Sequence, residues 1–296
     1  MNKKIAVVGS SGFVGKNVYS VLKAANRVVG IARSDSPFVD RRADVTRKAE
    51  IQKVLDEENP DVVVDCAYYP NVEGCETDPG KSAEININGV NNVIDWCAGN
   101  RRKLIFISTD YVYSLNGDRL NSEADKVGSL NVYTSQKLLN ERDIARKLSD
   151  FLILRTGFIY GFDQGGKNFL MQMLDSNGKM NIPLDQFVNP TYVGYLAGVI
   201  ERAIERDARG IFNANGKEAV SRQDFACQIA KSLALGNMPV GIKTSEINYK
   251  AKRPLFCQVD SSALEALLGV APKPNEHYLA EIRDLIKNQR DGSRLL

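Results

Sequence analysis

Tyr133 and Lys137 stand four residues apart in the run Tyr133-Thr134-Ser135-Gln136-Lys137, so a helix there places them one turn apart on one face. A phenol with an unperturbed pKa of about 10 is a poor acid or base at neutral pH. An ammonium beside it favours the phenolate and brings the group into a useful range. Upstream, Ser108 and Thr109 close the apolar run Leu104 to Ile107. A hydroxyl at the carboxyl end of such a strand can polarise a substrate carbonyl, because ligands bind at that edge of open parallel sheets. A Tyr-Lys pair alone occurs by chance on many solvated helices. Preceded by a strand-end Ser-Thr and by a glycine turn, in that order, it is a strong signal. The single histidine, His277, falls in a charged C-terminal helix, which argues against a Ser-His-Asp triad or a multi-histidine metal site. Its plain reading is a surface or helix-packing residue.

These groups need a scaffold, and the stretch from Lys4 to Lys23 supplies its first part. Ile5, Ala6, Val7 and Val8 read as a short strand, and Gly9-Ser10-Ser11-Gly12-Phe13-Val14-Gly15 as a turn. Val14, Val18, Val21 and Leu22 then recur at helical spacing. Glycines on a strand-to-helix turn allow a tight bend, a close backbone approach to a pyrophosphate and close helix–strand packing. The open N–H groups and positive dipole end of the helix favour phosphate. A Walker A loop ending at Gly15-Lys16 would need glycine at position 10 and Ser or Thr at position 17, where this chain has Ser10 and Asn17. The plain alternative is an ordinary glycine-rich turn.

Arg27 to Ala32 is the second strand, followed by Arg33-Ser34. Dinucleotide folds place an acid at this strand end to hold a ribose 2′-hydroxyl, or an arginine to take a 2′-phosphate. The arginine here favours NADP over NAD, with NADH as the alternative cofactor. Asp44-Val45 leads into a helix from Lys48 to Glu57, Asn59-Pro60 stops it, and Asp61 to Ala67 reads as an apolar strand. A loop from Tyr68 to Pro79 precedes a helix from about Lys81 to Gly99. After the strand at Leu104, a polar loop runs to about Leu130, then a helix from Tyr133 to Lys147 and a strand from Phe151 to Leu154. Strands alternating with helices at these lengths predict an α/β fold with a Rossmann-type, doubly wound parallel sheet. The pattern is less regular after Gly157, which predicts a smaller lobe assembled mainly from the C-terminal part.

The apolar and charged fractions, 43% and 25%, are those of a globular protein, and a net charge of +3 is too small to argue for nucleic acid. Arg101-Arg102-Lys103 is the densest basic run and reads as a solvated helix end. No apolar run approaches the roughly 18 residues of a membrane span. The first strand begins at once, so no signal peptide is expected. The five cysteines form no C-x-x-C pair and fit reduced thiols in the cytoplasm.

With these residues in view, the chain resembles the extended short-chain dehydrogenase/reductases, and within them the dTDP-4-dehydrorhamnose reductase-like group. The resemblance spans Gly9, Gly12 and Gly15, then Asn86 to Gly89, and then Ser108-Thr109-Asp110-Tyr111-Val112-Tyr113. It continues through Leu130-Asn131-Val132-Tyr133 to Lys137, Leu154-Arg155-Thr156-Gly157-Phe158-Ile159-Tyr160-Gly161 and Asn168-Phe169. Asp185-Gln186, Pro190-Thr191-Tyr192 and Arg253-Pro254 complete it, the first two being most specific to the group. It implies Thr109, Tyr133 and Lys137 as catalytic residues. Tyr133 would give a proton to a sugar carbonyl, Thr109 would bond that oxygen, and Lys137 would hold the nicotinamide ribose and lower the tyrosine pKa. It further implies an NADPH site of Gly9, Ser11, Gly12, Phe13, Val14, Gly15, Arg33, Ser34, Asp44, Val45, Ala67, Tyr69, Asn86, Ser108, Tyr133 and Lys137. A sugar-nucleotide substrate would meet Val72, Thr109, Asp110, Tyr111, Phe158, Asn168, Gln186 and Arg253. No metal site is carried over.

The implied organisation is a dinucleotide-binding unit over 1–157 and 189–215 and a substrate lobe over 158–188 and 216–296. A homodimer through the helices of Asn86 and Tyr133 is the implied assembly. Departures cluster on the substrate side. Gly157-Phe158 stands where the family usually has Ser-Trp, Tyr68 takes a small residue's place, Gly74-Cys75 replaces Lys-Ala, and Ser114-Leu115 replaces Asp-Gly. The expected activity is NADPH-dependent reduction of the 4-keto group of a 6-deoxy sugar nucleotide. The alternatives are a sugar-nucleotide epimerase of the same superfamily and a non-catalytic regulatory subunit resembling the methionine adenosyltransferase β subunit. A dehydratase would typically show Thr-Asp-Glu, whereas Asp110 here is followed by Tyr111.

Overall fold

In the computed structural model, which describes residues 3–290, the first apolar run forms β1 (Lys4–Val8) and the glycine turn delivers the chain into α1 (Phe13–Lys23). The chain then alternates through β2 (Arg27–Ala32), β3 (Arg41–Arg42), α2 (Lys48–Glu58) and β4 (Val62–Asp65). The short helices α3 (Val72–Thr77) and α4 (Pro79–Ala83) lead through a π-helical segment, Glu84–Gly89, into α5 (Val90–Asn100). β5 (Lys103–Thr109), α6 (Val132–Lys147) and β6 (Phe151–Thr156) follow. The strand pattern is then broken by short pieces, β7 (Ile159–Tyr160), α7 (Phe169–Asp175), β8 (Asn181–Pro183), β9 (Phe187–Val188) and β10 (Thr191–Tyr192). After α8 (Val193–Glu205), β11 (Gly210–Asn213) rejoins the large sheet. The remaining elements are β12 (Val220–Ser221), α9 (Arg222–Ser232), β13 (Val240–Ile242), α10 (Ser262–Leu268) and α11 (Asn275–Arg290). Residues 1, 2 and 291–296 of the expected units lie outside the described residues.

The large sheet has seven strands in the order β11-β6-β5-β4-β1-β2-β3, every neighbouring pair parallel. Strand residues alternate between faces, and the two faces bury separate cores. Ile5, Val7, Val62, Val64, Ile105 and Ile107 pack with α1 and α8, while Ala6, Val8, Val63, Leu104 and Phe106 pack with α2, α5 and α6. The chain winds outward from β1 to β3, then restarts at β4 on the other side. That reversal leaves a crevice at the carboxyl ends of β1 and β4, the place where such sheets take ligands.

Three local findings differ from the sequence expectations. The helix around Asn86 is not regular, because the π segment widens it and the Asn140 side chain donates to the Asn86 carbonyl at 2.7 Å. Lys103 is not solvated. It is buried on β5 between Asp207 at 3.0 Å and Asp150 at 3.3 Å. The apolar strand before Tyr68 ends in a buried carboxylate, Asp65.

Candidate active site

The glycine turn is shaped by close backbone contacts. Gly9 has φ of +79°, and a Cβ there would lie 2.6 Å from the Ala67 nitrogen. A Cβ at Gly15 would lie 2.1 Å from the Gly9 carbonyl, so the helix can sit this close to the turn only without a side chain. Gly12 is the N-cap of α1 and supplies no side-chain cap, which leaves the first-turn N–H groups facing the crevice without a side-chain acceptor. On one side of the turn lies a cavity of about 210 Å³ lined by Gly9, Ser11, Gly12, Arg33, Asp44, Val45 and Ala67, together with Ala32, Ala43, Cys66, Tyr68 and Ile85. Arg33 is exposed there at the end of β2. Burial pushes the Asp44 carboxyl up, but the Thr46 N–H and hydroxyl, with Arg33 and Arg47, hold it below the ordinary range.

On the other side lies a cavity of about 610 Å³, walled by Gly12, Phe13, Val14, Asp65, Tyr68, Val72, Ser108, Thr109, Asp110, Tyr111, Tyr133, Lys137, Gly157, Phe158, Lys167 and Asn168, among others. Thr109, Tyr133 and Lys137 are therefore brought to one space from β5 and α6. Lys137 is buried and donates from Nζ to the Ile107 carbonyl at 2.5 Å. Its Nζ sits 3.4 Å from the Tyr68 ring centroid and 4.4 Å from that of Phe106. Burial lowers Lys137 to about 7, opposed by the charge of Asp65. The same burial raises Asp65 to about 7; its Oδ1 accepts from the Ala67 N–H at 3.0 Å while Oδ2 has no partner. The Tyr133 phenol is raised, first by burial and then by Tyr111 and Asp110, with the Thr109 hydroxyl opposing. The lowering by Lys137 that the resemblance implies is not found, because the ammonium is turned to Ile107 and the Tyr68 ring.

Behind these residues runs a buried polar chain. Glu141 accepts from Ser108 Oγ at 2.5 Å and from Arg155 at 3.2 and 2.7 Å; Arg155 donates to the Tyr113 hydroxyl at 2.8 Å, and Tyr113 to Asn213 at 3.0 Å. Ser108, which also lines the larger cavity, thus gives its hydroxyl proton to this network. Asp110 is buried, accepts from Asn215 at 2.9 Å through Oδ2, and is raised to about 7 by burial. A Cβ on Gly157 would lie 2.0 Å from that same carboxylate oxygen, which gives a steric reason for glycine where the family usually has serine. Phe158 has φ of +44°, a left-handed conformation that costs a non-glycine residue about 1–3 kcal/mol. Its ring packs on Phe169 at 4.9 Å and Phe225 at 6.0 Å, with the Arg222 guanidinium 5.0 Å above it.

Six expected ligands line neither cavity: Gly15, Ser34, Tyr69, Asn86, Gln186 and Arg253. Asn86 is buried and braces the loop after β4, accepting from the Tyr69 N–H at 2.7 Å and donating to Gln136 at 2.7 Å. The Tyr69 ring lies over Gly74 on α3. Gln186 donates to Thr244 at 3.1 Å and accepts from Arg222 at 2.8 Å. Arg253 is paired with Glu73 at 2.7 Å and lies 4.9 Å from the Tyr249 ring centroid. Sequence reasoning overlooked Asp65, Lys167, Glu141 and Arg222 as site-forming residues. An acid ending an apolar strand at its carboxyl edge was the one readable signal, and it pointed to Asp65. Among the described residues, no group of three or more His, Cys, Asp or Glu is placed to hold a metal ion, and no helix is long and apolar enough to cross a membrane.

Against known proteins, the family described as RmlD substrate binding domain matches residues 3–288. A dTDP-4-dehydrorhamnose reductase of Burkholderia thailandensis is 30% identical over 96% of this chain and 99% of its own. Among solved structures, a dTDP-4-dehydrorhamnose reductase of Clostridium acetobutylicum superposes with a TM-score of 0.86 at 26% identity, covering 96% of this chain and 99% of that one. A Bacillus anthracis dTDP-4-dehydrorhamnose reductase in complex with NADP gives a TM-score of 0.85 at 24% identity, over 97% of this chain and all of that one (100%).

Proposed function

The chain belongs to the RmlD substrate-binding domain family and is an oxidoreductase of the extended short-chain dehydrogenase/reductase type, and from that premise we propose that it uses NADPH to reduce the 4-keto group of a 6-deoxy sugar nucleotide. One observation carries the reading: Thr109, Tyr133 and Lys137 line one cavity at the carboxyl ends of the sheet strands, beside a glycine turn that leaves helix N–H groups open.

The residues fit a dinucleotide. Gly9, Ser11, Gly12, Phe13, Val14 and Gly15 form a turn whose contacts leave no room for a Cβ at Gly9 or Gly15, which fits the tight bend and close helix–strand packing of a dinucleotide cradle. Arg33 and Ser34 would take a 2′-phosphate, with Asp44, Val45 and Ala67 along the adenosine. When bound, the cofactor supplies the hydride. Tyr133 donates the proton to the carbonyl oxygen, and burial, by keeping the phenol protonated, suits a donor. Thr109 orients that oxygen by a hydrogen bond. Lys137 holds the nicotinamide ribose. Val72, Asp110, Tyr111, Phe158 and Asn168 form the substrate wall. Gln186 and Arg253 line neither cavity, so a substrate diphosphate that reaches Arg253 takes the place of Glu73.

The assignment of 1–157 and 189–215 to the cofactor and of 158–188 and 216–296 to the substrate, the homodimer and a cytoplasmic setting belong to the same proposal. A panel of sugar nucleotides scored by loss of NADPH absorbance tests it. Turnover confined to 4-keto-6-deoxy sugars is the expected result. Isomerised product without net NADPH oxidation would point to an epimerase. No turnover on any sugar, with a second polypeptide co-purifying, would point to a regulatory subunit.

A further inference from the structure

Tyr68 stands where the resemblance leads one to expect a small residue, and its ring is not idle. The backbone just beyond it is pinned, because the Tyr69 N–H donates to buried Asn86 at 2.7 Å. Tyr68 lines both cavities. Its ring meets the Tyr133 ring edge-on, with centroids 5.6 Å apart, and presents its face to Lys137, whose Nζ is 3.4 Å from the centroid. The phenol oxygen is buried without a hydrogen-bond partner. The ring is therefore held by its face on Lys137 and by its contacts with Tyr133 and Phe106, and not by its hydroxyl. An ammonium removed from water, with one carbonyl acceptor at Ile107, gains substantially from an aromatic face.

We infer that Tyr68 is a positioning residue that caps the Lys137 ammonium, and that the cap competes with the nicotinamide ribose for the same group, so that Tyr68 sets the affinity for the cofactor. The inference rests on the proposed role of Lys137 in holding that ribose. Because no hydrogen bond ties the phenol, displacing the ring breaks none, while Asn86 keeps the backbone fixed. The main loss on cofactor entry is that of the cation–π contact, beside the edge contacts with Tyr133 and Phe106.

The test is the dissociation constant of NADPH, measured by fluorescence titration on the full chain and on Tyr68→Phe, Tyr68→Leu and Tyr68→Ala, with thermal unfolding followed for each. Tyr68→Phe keeps the face and is expected to match the wild type. Tyr68→Leu and Tyr68→Ala remove it and are expected to bind NADPH about tenfold to thirtyfold more tightly. Leucine fills most of the space, so it decides the matter where the alanine variant fails to fold. A residue with a merely structural role would give weaker binding, not tighter. Unchanged or weaker binding in the leucine and alanine variants, beside a wild type that binds, overturns the cap and leaves the cofactor reading standing. No NADPH binding by the wild type or any variant overturns the cofactor reading, and the cap with it.

Discussion

Replacing Glu141 by glutamine isolates the buried ion pair behind the site. Glu141 lies one helical turn beyond Lys137 on α6, and its carboxylate accepts from Ser108 and twice from Arg155. Both charged side chains are only 5% exposed, so solvent screening offers little relief. Glutamine keeps the shape, removes the charge, and turns an NH₂ group towards either the guanidinium or Ser108. A buried charge left without its partner costs about 3–5 kcal/mol. Each kcal/mol shifts the melting temperature by about 2–4 °C in chains of 150–250 residues, so the expected fall is roughly 6–20 °C. The lower half of that range suits a chain of 296 residues. Circular dichroism melting at neutral pH measures it. The double change Glu141→Met with Arg155→Met should recover much of the loss, because apolar side chains of similar volume can replace a buried pair at little cost. A fall below about 2 °C in Glu141→Gln would refute the argument. It would mean that Arg155 finds compensation at Tyr113 or in water.

Tyr133→Phe should lower turnover by about 10²–10⁴-fold while leaving NADPH affinity intact, since only the transferable proton is lost; steady-state rates beside a cofactor titration check both halves. Arg33→Ala should reduce the preference for NADPH over NADH by roughly 10–150-fold, the worth of a hydrogen bond to a charged group, and equal titrations before and after would remove Arg33 from the site. Lys137 loses its proton as pH rises, and burial brings that loss down to about 7, so NADPH affinity should fall as pH climbs through neutrality. Asp65→Asn deletes the charge that holds the proton on Lys137 and should move the midpoint to lower pH. A flat profile between about pH 6 and 9, the window around the lowered Lys137 value and below the ordinary lysine range, or an unmoved midpoint in the variant, would count against an ammonium contact.

Much of the scaffold was legible in the chain because its signals are local. An apolar strand, a glycine turn and a helical repeat are neighbours in sequence, and β2 lies at Arg27–Ala32 as read. The Tyr133–Lys137 spacing needs only a helix to put both on one face, and Thr109 at a strand end needs only a parallel sheet to reach the same edge. What those spacings left open was direction and partner. Lys137 was read as acting on Tyr133, yet the fold brings the Tyr68 ring to its ammonium from the loop after β4, 69 positions earlier in numbering. Ser108 was read as a ligand, but Glu141 takes its hydroxyl. Asn86, Gln186 and Arg253 were read as ligands, and without a ligand they bond Tyr69, Arg222 and Glu73. Each of these contacts joins residues distant in sequence, and no periodicity encodes such a pairing. The sequence by itself determined the layered α/β scaffold, the turn and the helix face, since each depends on the order and types of adjacent residues. Only the tertiary structure decided which buried polar groups satisfy one another and which face the cavity, because burial forces every donor and charge to find its partner among whatever side chains the packing brings near.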